Sequence, residues 1–391
     1  MARLFASDQF DFGSLLTPAE QSAILRLRAT LDEHVRPIVN EYWSRDEFPE
    51  HIIPHLVGLD MMNPVELREA GETPTELFTG FRTFELARCD ASISTFYNAV
   101  AGLYRTTVNL GGSPEQVAEL DPKIQTFESF GVFCLTEAEH GSDIARGLAT
   151  TAERNGDTWT INGSKRWIGG VFAANTLAIF ARDIADGQVK CFLVPKDAPG
   201  VSYSKITGKF ALKIMQNADI ELVDVKVGED LRLQNVNNFA DVAGLLRNMR
   251  SLVSWIACGA MAGAYEAALK YVMEREQFGK PIASFQLIQE KLARMLANLT
   301  AALSMTVRLT QQQQDGVFVD ENSSMTKMQT SLLLRETVAL AREVVGGNGI
   351  VVDYDVARFF ADAEAIYSYE GTHEINALVV GRAITGIGSF K

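Results

Sequence analysis

Along the first ~130 residues apolar positions recur with a helical period: Ile24, Leu27 and Leu31 share one face behind the polar start Thr17-Pro18-Ala19-Glu20, where a capping residue precedes a proline at the first helical position. Prolines at 49, 54, 64, 74, 114 and 122 divide this region into short helices. From about residue 131 the period shortens to that of strands. Thr158-Trp159-Thr160-Ile161 and Lys165-Arg166-Trp167-Ile168 flank Asn162-Gly163, a dipeptide suited to a two-residue turn, so a hairpin is predicted there. Further β-like runs cover 177–180, 189–194 after Asp186-Gly187, and 220–227, without alternating helices, as in a small barrel or sandwich.

After about residue 240 the helical period returns. Ile256, Ala260, Ala264, Ala267 and Tyr271 fall on one face, as do Ile288, Leu292, Met295, Leu299 and Ala302. A third stripe, Met325, Met328, Leu332, Ala341 and Val345, runs into Gly346-Gly347-Asn348-Gly349, which would stop its helix. Stripes of this kind are core, and about four such helices form a bundle. The expected fold is α+β and multidomain: an N-terminal all-α domain over 1–130, a middle β-barrel over 131–238, and a C-terminal four-helix bundle over 239–391.

With 391 residues, 47% of them hydrophobic, the chain can bury more than one simple core. Its net charge of −13 gives no footprint for nucleic acid, which needs clustered Lys and Arg. Cys89, Cys134, Cys191 and Cys258 lie far apart and form no C-x-x-C pair, so neither a zinc site nor a disulfide framework is expected, and a reducing, cytoplasmic location fits. The start, with Asp8 and Asp11 close behind Met1-Ala2-Arg3-Leu4, lacks the character of a signal or transit peptide. No uninterrupted apolar run of about 18 residues is found, so no membrane span is expected.

Neither a G-x-G-x-x-G nor a Walker A motif opens a helix after a strand, so a nicotinamide Rossmann domain and a P-loop lack support. Two Glu-x-x-His triplets, Glu137…His140 and Glu370…His373, raise a di-iron reading. Gly141-Ser142 beside one and Gly371 inside the other argue against continuous helices, and no metal is expected. Glu370 stands at a helix–helix junction, between Tyr369 and Gly371. Beside an aromatic ring a carboxylate is desolvated, its pKa rises, and it becomes a stronger base; the alternative from the residues alone is a carboxylate stabilised at a helix N-terminus.

Six segments, in order, resemble the acyl-CoA dehydrogenase superfamily: Phe133-Cys134-Leu135-Thr136-Glu137, Gly141-Ser142-Asp143, Asn162-Gly163-Ser164-Lys165-Arg166-Trp167-Ile168, Arg275-Glu276-Gln277-Phe278-Gly279, Gly346-Gly347-Asn348-Gly349 and Tyr369-Glu370-Gly371-Thr372. Near the end, Gly381-Arg382-Ala383-Ile384-Thr385-Gly386-Ile387 is similar to the glutaryl-CoA dehydrogenase branch, which includes plant peroxisomal short-chain acyl-CoA oxidases. The resemblance spans essentially the whole chain. It implies the acyl-CoA dehydrogenase fold, non-covalent FAD and a homotetramer built as a dimer of dimers. It also implies a role in fatty acid metabolism, with reducing equivalents passed to electron-transfer flavoprotein.

Carried over by position, the resemblance implies that Phe133, Leu135, Thr136, Gly141 and Ser142 line the isoalloxazine, with Trp167, Ile168 and Gly169 near its reactive edge. Arg275, Phe278, Gln286, Glu343, Gly346 and Gly347 would hold the pyrophosphate and adenosine portion, partly across a subunit boundary, and Thr372 and Phe390 complete the flavin contacts. The thioester would meet Ser94, Ser142, the segment 244–250 including Arg250, Tyr369 and Gly371. Glu370 is then the base that removes the α-proton, and hydrogen bonds to the thioester carbonyl, one from the Glu370 amide, stabilise the enolate.

The sequence also departs from the pattern. Glutaryl-CoA enzymes carry an arginine for the distal carboxylate; the matching stretch Cys89-Asp90-Ala91-Ser92-Ile93-Ser94 has Ser94 there, with Ala87 in place of a nearby glutamate. A short, neutral acyl chain is therefore expected, since a buried unpaired carboxylate costs several kcal/mol. Gly169 replaces the usual hydroxyl-bearing residue, as in acyl-CoA oxidases, which leaves oxygen as an alternative acceptor, although the ending Gly388-Ser389-Phe390-Lys391 is not a Ser-Lys-Leu type signal. Met249 stands where isovaleryl-CoA-type enzymes place their base and cannot ionise.

Overall fold

The structure, a computed structural model, describes residues 3–388. Among the described residues eight α-helices precede the first strand: α1 (Pro18–His34), α2 (Val39–Arg45), α3 (Ile53–Gly58), α4 (Val65–Ala70), α5 (Glu76–Cys89), α6 (Ala91–Asn98), α7 (Arg105–Gly111) and α8 (Pro114–Gln125). The expected start of α1 is a full capping box: the Thr17 hydroxyl accepts from the Glu20 amide, and the Glu20 carboxylate accepts from the Thr17 amide. Such a cap stabilises by about 1 kcal/mol. Ile24, Leu27 and Leu31 are all buried, as their spacing predicts. Pro122 departs from expectation, lying inside α8 near its C-terminal end rather than breaking it.

The middle of the chain forms a curled sheet of seven strands: β1 (Gly131–Cys134), β2 (Thr151–Asn155), β3 (Thr158–Gly169), β4 (Thr176–Asp183), β5 (Val189–Pro195), β6 (Val201–Lys205) and β7 (Asn217–Gly228), with the short helix α9 (Ile144–Gly147) after β1. Its order is β1-β4-β2-β3-β7-β6, and β5 pairs with β4. β4 meets β1 and β2 in parallel and β5 antiparallel, which bends the sheet around its buried residues. The predicted hairpin is corrected in detail. Its turn lies at Gly156-Asp157, between β2 and β3, and Asn162-Gly163 sits inside the continuous β3. There the register against β7 shifts. Gly163 has φ 145°, and a Cβ on it would stand 2.7 Å from Thr150, so the glycine serves a bulge instead of a turn.

The C-terminal helices are α10 (Phe239–Glu274), α11 (Gln286–Gln314), α12 (Asp320–Val345), α13 (Val356–Ser368) and α14 (His373–Thr385). A two-strand hairpin, β8 (Glu276–Gln277) and β9 (Lys280–Pro281), joins α10 to α11. By length and composition α10 could cross a membrane, but 72% of its most apolar window is buried inside the protein, as suits a core helix.

The chain gathers into two compact units: one holds Met1–Thr95, Phe210–Ile214 and Arg250–Lys391, the other Phe96–Lys209 and Met215–Met249. In the first, Arg358 is buried, accepted by Asp90, Asp355 and Asn40. One turn further along α13, Asp362 accepts at one oxygen from the Trp43 indole (3.0 Å) and the Leu212 amide (2.7 Å). Residues far apart in sequence are thus fixed around the helix that leads to Glu370.

Candidate active site

Glu370 lies on the link between α13 and α14, after an extended Tyr369. Its φ is +55° and that of Gly371 is +84°, so two successive residues are left-handed. For a residue with a Cβ that conformation costs on the order of 1 kcal/mol and marks a held turn. The link is fastened from both sides. Asn376 donates to the carbonyls of Gly371 (2.9 Å) and Thr372 (3.0 Å). Thr372 caps α14 by accepting from the Ile375 amide. From α12 the buried Lys327 donates to the carbonyls of Tyr367 and Gly371, both at 2.8 Å.

The Glu370 side chain is half-buried, and burial pushes its carboxyl above the ordinary value, while the charges of Arg250 and Lys327 pull it down. Arg250 on α10 reaches the Ser324 hydroxyl at 3.4 Å. Burial pushes the phenol of Tyr369 up. Glu370, Tyr369, Gly371, Thr372 and Arg250 therefore meet around one turn. Ser94, by contrast, is buried with its hydroxyl given to the Thr83 carbonyl.

In the same unit Tyr271, Arg275, Gln277, Ile282 and residues 344–348 line a cleft of about 300 Å³. Arg275 is exposed there, and a Cβ at Gly346 or Gly347 would meet nothing within 4 Å. A cation beside open glycine backbone fits an anionic, phosphate-bearing group, as FAD's pyrophosphate requires. Gln286 is exposed at the first residue of α11, whereas Glu343 gives its carboxylate to Lys291 at 2.8 Å. Phe278 is 93% exposed at the tip of the β8–β9 hairpin, with φ +54° followed by Gly279 at +75°. Most hairpins place Asn or Asp at such a position.

The other unit carries the remaining residues. Leu135 is buried and Thr136 half-buried behind β1, where the Thr136 carbonyl accepts from the Arg166 amide at 2.9 Å. Phe133 packs on Phe180 at 4.8 Å, and Gly141 and Ser142 lie exposed on the following loop. Trp167 is 50% exposed with φ +66°, its carbonyl accepting from Asn217 and the Arg166 guanidinium over its ring. A strained, exposed tryptophan between the buried Lys165 and Ile168 offers a flat face for a ring system. A Cβ at Gly169 would stand 2.3 Å from the Met215 methyl, so the glycine admits that thioether. Phe390 lies outside the described residues.

Sequence reasoning missed two buried lysines. Lys165 donates to Glu137 (2.8 Å) and to the Leu135 carbonyl, and Glu137 also accepts from the Ala149 and Thr150 amides and the Thr150 hydroxyl. This pair ties the segment after β1, which bears Leu135, to β3. Lys327 is the other; its only signal was a single lysine in a run of small polar residues, Ser323, Ser324, Thr326, Thr330 and Ser331.

Three domain families match in order: acyl-CoA dehydrogenase N-terminal domain over 17–128, middle domain over 132–225 and C-terminal domain over 239–385. Rat mitochondrial short/branched chain specific acyl-CoA dehydrogenase is 29% identical, across 95% of this chain and 88% of its own. The caffeyl-CoA reductase-Etf complex subunit CarC of Acetobacterium woodii is 30% identical, across 93% and 97%. A glutaryl-CoA dehydrogenase from Mycobacterium smegmatis, solved in complex with FADH2, superposes with a TM-score of 0.91 at 27% identity, across 99% and 100% of the two chains. Helical segments before and after a curled sheet in the sequence, matched over nearly the whole length, define an FAD-dependent acyl-CoA oxidoreductase. The chain belongs to the acyl-CoA dehydrogenase family.

Proposed function

We propose that this protein oxidises a short, neutral acyl-CoA to the trans-2-enoyl-CoA, with Glu370 as the base that takes the α-proton. The observation that carries the reading is the held, left-handed turn presenting a carboxylate whose burial raises its basicity while two cations keep it ionisable. The Glu370 amide and the open backbone at Gly371 suit the thioester carbonyl, where a hydrogen bond strengthens as enolate charge develops. FAD, when bound, supplies the acceptor for the β-hydrogen as hydride.

Ser94 supports the neutral chain, because its hydroxyl is engaged by Thr83 and a serine carries no charge for a distal carboxylate. By analogy with the Etf-linked relative, electrons pass to electron-transfer flavoprotein. Gly169, lacking a hydroxyl and filled by Met215, favours a second reading in which oxygen is the acceptor. We place the enzyme in the cytoplasm as a homotetramer, for which the exposed Phe278 is a contact suited to a neighbouring subunit.

The deciding experiment is rapid-mixing reduction of the bound flavin by butyryl-CoA. Glu370→Gln is expected to slow it by about 10²–10⁴-fold; an undiminished rate would remove Glu370 from the mechanism. Hydrogen peroxide formed in air in equal amount with enoyl-CoA would establish the oxygen reading instead.

A further inference from the structure

The carbonyl oxygens of Tyr367 and Gly371 stand on either side of Glu370, the first in the last turn of α13, where helical carbonyls lack an intrahelical partner. One ammonium group satisfies both: Lys327 reaches them from α12 at 2.8 Å each. The side chain is buried, in a helix whose neighbouring buried positions are mainly small serines and threonines. Packing does not call for a charge there, since an unbranched apolar chain fills the same space without the cost of desolvating an ammonium.

We propose that Lys327 is a positioning residue for α-proton abstraction: its ammonium clamps the two carbonyls that bracket the left-handed Glu370 turn, and from α12 its charge acts on the carboxylate. The inference rests on reading Glu370 as the base. Around Glu370 the charged groups are Arg250 from α10 and Lys327 from α12, and Lys327 itself also faces Glu374 on α14. Burial pushes Lys327 down to about 8, with the attraction of Glu370 opposing it. Removing the lysine's charge leaves Arg250 as the cation on Glu370, so the carboxylate is harder to ionise and the enzyme needs a higher pH to act.

The test uses the flavin-loaded enzyme in two measurements. The first is hydrogen exchange of peptides covering 367–376, without substrate; the second is the pH dependence of first-turnover flavin reduction by butyryl-CoA. Lys327→Met is expected to speed exchange in 367–376 at least tenfold with the rest of α12 unchanged, and to move the acid limb of the rate up by roughly one pH unit. Lys327→Arg, which keeps a cation, should return the limb toward wild type. Wild-type exchange with a wild-type limb in Lys327→Met overturns the proposal; so does faster exchange with an unmoved limb, which reduces the lysine to a support. Should Lys327→Met not fold, Lys327→Gln keeps a donor without charge, and a wild-type limb there is equally fatal. Exchange is read without substrate, so full activity in Glu370→Gln would sink the base while leaving the clamp on its own evidence.

Discussion

Asp362 is buried in α13, and burial, helped by the charge of Asp90, pushes its carboxyl up to about 7. The folded protein therefore holds a proton there that the unfolded chain has released, and the resulting stability is complete below about pH 4 and lost as pH rises through 7. Asn at this position keeps an acceptor for Trp43 and Leu212 but carries no charge. Urea unfolding of Asp362→Asn is expected to show a gain of roughly 1–3 kcal/mol over wild type at pH 8.5. The gain should shrink as pH falls below 7 and vanish only below about pH 4, and a difference independent of pH would contradict the titration. At this scale Tyr369, Gly371 and a helix boundary single out Glu370, but they fit a carboxylate at a helix N-terminus equally well, and its expected role as a base came from the family resemblance. Lys327 and Asp362 were not legible, since burial of a single charged residue depends on helices that arrive from elsewhere in the chain.

Among the elements, α10 approaches α5 so closely that side chains are excluded at the contact. A Cβ on Gly259 would lie 2.3 Å from the Phe84 carbonyl oxygen, and one on Gly263 would lie 2.4 Å from that of Arg88. Backbone cannot move aside as a flexible side chain can, so Gly259→Ala should lower stability by about 1–3 kcal/mol or more, seen as a fall in Tm. Gly244→Ala in the same helix meets nothing within 4 Å and should be neutral or raise Tm slightly. Equal effects of the two would refute the close approach. Apolar period sufficed to find α1, α10, α11 and α12, because long helices bury whole stripes. It misplaced the β2–β3 turn, because Asn-Gly serves a bulge and a turn equally well and only the packing of Thr150 against Gly163 decides between them.

For the whole molecule, the expectation that Arg275, Gly346 and Gly347 hold the flavin pyrophosphate in this open cleft makes folding depend on flavin. Stripping the flavin should lower Tm, and added FAD should restore it in a concentration-dependent way, by about 2.7 kcal/mol at a hundredfold excess over Kd. A Tm indifferent to FAD would show that the cleft does not receive it. The contacts of Asn40 with Asp355 and of Trp43 with Asp362 join residues separated by more than three hundred positions. During synthesis the early helices leave the ribosome long before those acceptors exist. Their polar groups must wait, hydrated or chaperoned, until Asp355 and α13 have been translated, so a transcript cut short before them would yield helices with their anchoring partners untranslated.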